Sequence, residues 1–166
     1  MGSAESDKTG ATGGVDRVRE ALKEFGLATG IREFSASTRS STEAAAAIGC
    51  SVAEIGKTIV FRARPSNRPV LVLASGVNRV DEKKLAAALG EAIAKADADF
   101  VRAETGFAIG GVAPIGHGRA LAVFIDADLM GFPWIWAAAG SPNSVFCLSP
   151  VDLQRITGGR VIELKK

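Results

Sequence analysis

Two apolar, β-branched runs, Lys57 to Ala63 and Pro69 to Ala74, are joined through Pro65-Ser66-Asn67-Arg68. Proline and asparagine favour a tight reversal there, so the runs read as a β-hairpin. A hairpin at the centre of the chain excludes a plain strand–helix–strand alternation. The rest of the sequence fits around it. Val15, Val18, Leu22 and Phe25 recur at helical spacing before Gly26, which predicts a helix over 15–25. Ile31 to Phe34 reads as a short strand. Ser40 and Glu43 form a capping box ahead of Ala44 to Ile48, with Gly49 as the stop. Ser51 and Glu54 repeat the pattern over one turn. Asp81 opens a helix through Leu85 and Leu89 to Gly90, and a shorter one covers Asp97 to Glu104. Leu121 to Ile125, Trp134 to Ala138 and Val145 to Leu148 read as strands. Ser149 and Asp152 cap a last helix ended by Gly158-Gly159, and Val161 to Leu164 closes the chain as a strand. The expectation is an α+β domain over 15–166: a mixed, largely antiparallel sheet flanked by helices. Residues 1–14, polar and rich in Gly, Ser and Thr, read as a disordered N-terminal tail.

Composition narrows the function classes. The chain has 166 residues, 47% of them hydrophobic, enough for one full core. Its net charge of +2 is too mild for a dedicated nucleic-acid binder, yet compatible with an enzyme that touches only an RNA end. Cys50 and Cys147 fit no metal or redox spacing and read as reduced core thiols of a cytoplasmic protein. No apolar run approaches the roughly 18 residues of a membrane span, and the N-terminus lacks a signal-peptide core. No membrane partner is expected.

The residues that carry chemistry are few. Lys57 stands at the head of an apolar strand, where an ammonium must find an anionic or carbonyl partner or lose its charge. The plain alternative is a lysine that snorkels to the surface. Gly110-Gly111 lets backbone approach a ligand unobstructed, and Pro114 stiffens the loop; a flexible turn is the plain alternative. Backbone N–H groups at Gly110 and Gly111 are candidates to polarise a substrate carbonyl, like an oxyanion hole. Asp126 ends a strand, where capping would also explain it. Ser37, Thr38, Ser141 and Asn143 lie in loops suited to substrate contact and equally suited to turn chemistry. His117, the sole histidine, reads as a hydrogen-bonded structural residue. Trp134 and Trp136 alternate on a strand and read as packing residues. There is no Ser-His-Asp or Cys-His set.

In sequence order, Ala44 to Gly49, Ile55-Gly56-Lys57-Thr58, Asn78 to Leu85, Ala88-Leu89-Gly90, Thr105-Gly106, Gly110 to Gly116, Phe124-Ile125-Asp126 and Ala139-Gly140 form an ordered series. The series resembles the YbaK-type and prolyl-tRNA-synthetase-associated editing domains, and the likeness runs from about residue 15 to the C-terminus. The resemblance implies a free-standing hydrolase of wrongly charged aminoacyl-tRNA, with proline tRNA the expected carrier. The family's functional lysine falls on Lys57 and its Gly-x-x-x-Pro loop on Gly110 to Pro114. It also implies that a ribose hydroxyl of the tRNA activates the water, that no metal or organic cofactor takes part, and that an aminoacyl-tRNA synthetase is a potential partner. The cysteine-removing branch carries Ser-Gly-Gly and a nearby Asp where this chain has Ala138-Ala139-Gly140 and Val145, and the branch that removes alanine from prolyl-tRNA often carries a His-Pro step where this chain has Phe34-Ser35. Cysteine is therefore not the expected substrate, and a pocket walled by glycine backbone, Ala113 and the Ala-rich stretch up to Gly140 is expected to take a small amino acid. The alternative is a non-catalytic module that binds tRNA ends or a small ligand beside a synthetase.

Overall fold

The structure is a computed structural model of the chain. It describes residues 2–27 and 29–166, with side chains from residue 13 onward. The first helix, α1, is Gly2–Glu24. The tail expected over 1–14 lies, through residue 12, outside the residues described in full.

Among the described residues, five helices and eight strands follow the order β1 (Ile31–Glu33), α2 (Ser41–Ile48), β2 (Ile55–Arg64), β3 (Pro69–Ser75), α3 (Glu82–Leu89), β4 (Ala92–Lys95), α4 (Ala98–Thr105), β5 (Ala122–Asp126), β6 (Ile135–Ala138), β7 (Ser144–Leu148), α5 (Pro150–Thr157) and β8 (Arg160–Ile162), with α1 ahead of them. The helices begin and end where local chemistry demands. Ser40 and Glu43 close a reciprocal capping box on α2. Asp81, Asp97 and Ser149 cap α3, α4 and α5 with their side chains, and a left-handed glycine follows each of these helices. Ser51 and Glu54 bracket a single 3₁₀ turn.

The strands form one mixed sheet ordered β1-β7-β6-β2-β3-β5-β8. The expected hairpin is present as β2–β3, in unbroken antiparallel register from Gly56↔Ser75 to Arg62↔Pro69. The β1–β7, β6–β7 and β2–β4 pairs are also antiparallel; β2–β6, β3–β5 and β5–β8 are parallel. Every residue of β3 is buried because the sheet is covered on both faces. Leu71 and Leu73 face a large core shared with α1, α4 and α5. Val70, Val72 and Ala74 face a smaller one under Leu85 of α3.

One strand went unseen in the sequence. Ala92–Lys95 has little β-branched character, and it forms because the β2 edge accepts it. Its position matters. β3 lines one edge of β2 throughout, but two strands share the other edge. β6 pairs parallel with Ile55 and Gly56, and β4 pairs antiparallel with Phe61 to Arg64. The stretch 57–60 lies in a gap between them. The cysteines are free and half-buried rather than inside the core. No helix among the described residues is long and apolar enough to cross a membrane.

Candidate functional site

Two cavities meet at the gap in the β2 edge. The inner one has a volume of about 70 Å³. Its walls are Ala44 of α2, Ile55 and Gly56 of β2, Trp136 to Ala138 of β6, and Val145 of β7. The outer one is a groove of about 690 Å³ running past Lys57 to Phe61, Gly76, Arg79, Lys95 and Ile109. Arg39, Ser40, Ser41, Lys57, Thr58, Gly110 and Val112 border both. The inner pocket has about a tenth of the groove's volume, which suits a small side chain.

Lys57 sits at this junction, half-buried. Burial holds its ammonium below the ordinary lysine range, and the nearby Arg79 guanidinium pushes the same way, while the Asp126 carboxylate pulls back. Lys57 makes no ion pair with any described residue. Asp126, almost wholly buried at the end of β5, does not border either cavity. Its oxygens accept from Ser75 N at 3.0 Å, Asn78 Nδ2 at 2.8 Å and Asp128 N at 2.9 Å. Its charge bears on Lys57 from outside both cavities.

The glycine loop divides its duties residue by residue. Gly110, at φ +90°, borders both cavities, and the aliphatic stem of Arg39 lies directly over its α-carbon. Gly111 is turned away. Its N–H donates to Ala108 O at 2.9 Å, closing a turn, so the ester donation expected of Gly111 is already spent. A Cβ on Gly111 would stand 2.7 Å from the Ser141 carbonyl carbon, so the glycine is there for backbone packing. Pro114 is buried behind the loop, and so is Ala113, which forms no pocket wall. Further along, Arg17 of α1 lies 4.5 Å from the Phe107 ring centroid and donates to Gly106 O at 2.5 Å. His117 stands edge-on to Phe107, and its Nε2 donates to Ala113 O at 2.7 Å. Burial is the main cause of its lowered pKa; the Ala113 bond opposes that and Arg17 adds to it, so His117 is a neutral structural staple.

The remaining expected contacts separate into one wall residue and a set of braces. Thr38 borders the inner pocket, its N–H and hydroxyl both donating to Pro142 O at 2.7 and 3.2 Å. Ser37 Oγ accepts from Arg39 N at 3.1 Å. Asn143 Nδ2 donates to Phe34 O at 2.7 Å, and Ser141 Oγ lies 2.6 Å from Ser144 Oγ. Ser37, Ser141 and Asn143 border neither cavity; they fix the turn that carries the wall. Three residues of the site had no role in the sequence reading. Arg39 precedes a capping box and carries no spacing signal of its own. Arg79 lies within the Asn78-Arg79-Val80-Asp81 series without a spacing of its own. Trp136 reads as packing and does pack, against Ala44 and Ile55, yet it also lines the inner pocket. Trp134, its expected companion on the strand, precedes β6 and is exposed.

Comparison with known proteins gives concordant results. The family model for the aminoacyl-tRNA editing domain matches residues 35–156. The chain is 30% identical over 144 residues to the uncharacterized protein YwhH of Bacillus subtilis (strain 168), covering 87% of this chain and 91% of that one. Among solved structures, one provisionally described as a trans-editing enzyme for prolyl-tRNA synthetase superposes with a TM-score of 0.86 at 40% identity, over 92% of this chain and 97% of that one. The hypothetical protein APE2540 superposes with a TM-score of 0.84 at 27% identity, over 90% and 99%.

Proposed function

Since the chain belongs to the aminoacyl-tRNA editing domain family, we propose that it hydrolyses, in trans, the ester joining a small, wrongly attached amino acid to the terminal ribose of a tRNA. The observation that carries this reading is the meeting of an inner pocket of about 70 Å³ with a groove of about 690 Å³ at Lys57, Thr58 and Gly110. The amino-acid side chain enters the pocket, the ester lies at the junction, and the terminal nucleotide occupies the groove beside Arg39, Arg79 and Lys95. Gly110 N–H polarises the ester carbonyl; one such donor contributes about 3 kcal/mol to lowering a barrier of this kind. Lys57 holds the negative charge of the nucleotide near the reacting centre. The adjacent ribose hydroxyl orients water, which adds at the carbonyl carbon. The ester C–O bond breaks, and the ribose oxygen takes up the proton. Proline tRNA is the natural carrier to try first, given the relative described for prolyl-tRNA synthetase, and the cytoplasm is where charged tRNA is met.

The test is a rate series on one tRNA in which only the attached amino acid changes. Alanine, serine, threonine and 2-aminobutyrate should be removed at graded rates, because an apolar wall discriminates one methylene by only about 1–3 kcal/mol. Cysteine should not lead, since Ala138 and Val145, the positions that depart from the cysteine-removing branch, both line the inner pocket. Fastest cleavage of an aromatic ester, or of cysteine, overturns the substrate class. Tight binding of charged tRNA with no turnover would make the chain a binding module instead.

A further inference from the structure

Thr58 has unmatched polar groups at the junction. Along β2, Ile55 O accepts from Gly76 N at 2.8 Å, and Ala63 bonds through its N–H and C=O with Arg68 and Asn67 at 2.9 and 2.8 Å. Odd-numbered residues therefore turn their N–H and C=O toward β3, and with the register unbroken the even-numbered ones turn toward the other edge. On that edge Gly56 meets β6, and Arg62 and Arg64 meet β4. Thr58 falls in the gap and has no strand partner there. Its Oγ1 is also shut off from water with no hydrogen-bond partner; Arg62 Nε is the only other such side-chain atom among the described residues. Buried polar groups are nearly always paired, and an unpaired one destabilises the fold. Thr58 thus offers a shut-off hydroxyl without a partner, and an N–H and a C=O without a strand partner, where two cavities meet.

We propose that Thr58 grips the α-amino group of the aminoacyl ester, its C=O and Oγ1 accepting hydrogen bonds from the nitrogen. The hydroxyl has three staggered positions about χ1, and the grip uses one that faces the cavity. Lys57 leaves β2 on the opposite face, so the two residues serve different ends of the substrate. This rests on the hydrolase reading above. It adds the feature by which the site tells an amino acid from any other small acyl group.

Thr58→Val keeps the shape and removes the hydroxyl. Melting temperature should rise, because an unmatched buried oxygen is gone, while kcat/KM on alanyl-tRNA should fall at least about tenfold. Thr58→Ser should recover most of the activity. On N-acetylated alanyl-tRNA, which lacks the free amino group, the Val variant should lose far less relative to the wild-type protein. A Val variant that melts higher and cleaves alanyl-tRNA at the wild-type rate overturns the proposal, as does an equal loss on both esters. Should the wild-type protein cleave no charged tRNA, the hydrolase reading fails separately. Calorimetric binding of a non-hydrolysable 3′-amide of alanyl-adenosine then decides Thr58. Binding about tenfold tighter to wild type than to Thr58→Val supports the grip, and equal binding overturns it.

Discussion

Lys57 is held where its surroundings resist its charge. Burial and Arg79 disfavour the ammonium, and Asp126 only partly compensates. The unfolded chain keeps the proton to higher pH than the folded one does. Between the lowered value and the ordinary lysine value, the stability contributed by this residue therefore rises with pH. A residue that opposes folding and persists at a cavity junction is explained by what it binds. Lys57→Ala should lower hydrolysis by about a hundredfold, in the range of a lost electrostatic contact to the reacting centre. Its melting temperature should match or slightly exceed that of the wild-type protein. Wild-type activity should decline as pH climbs through the lowered lysine value, earlier than for an exposed lysine. A folded Ala variant with near-normal turnover, measured beside its melting curve, removes Lys57 from the site.

At the scale of elements, the loop from Thr105 to Gly118 is held between two supports. Arg17 of α1 grips its start at Gly106 and Phe107, and the Ser141–Pro142 backbone presses on Gly111. Between the supports, Ile109 borders the groove and Gly110 borders both cavities. The adjacent glycines should thus respond differently to alanine. Gly111→Ala meets backbone that cannot yield and should chiefly lower stability. Gly110→Ala meets the flexible Arg39 stem, adds strain of about 1–2 kcal/mol from its positive φ, and should lose more activity per folded molecule. Rates normalised to folded fraction separate the two, and identical behaviour would make the whole loop structural. The sequence makes the glycine pair visible but not this division. Gly111's contact with Ser141 depends on a turn thirty residues away. The capping boxes at Ser40 and Ser51 and the glycine stops are legible because each involves residues three or four apart.

Over the whole molecule, the hairpin and the lysine at its head are readable, and the place where the site forms is not. That place exists because β6, arriving parallel, stops at Gly56, and β4, arriving antiparallel, starts at Phe61. Both partners are non-local, and Ala92–Lys95 carries almost no strand signature. The interrupted edge has a consequence for amide exchange. Central strands ordinarily exchange their amide protons only on global opening. In β2, Lys57 and Ile59 donate toward β3 and should follow that rule, while Thr58 between them faces the gap. Residue-resolved hydrogen–deuterium exchange should find a fast amide flanked by two of the slowest, and a bound substrate analogue should slow that one selectively. Uniform protection along β2 would mean that the gap closes in solution. If the fast amide is there, the candidate site is a local failure of sheet cooperativity built into an otherwise rigid core, and a ligand completes the sheet as it binds.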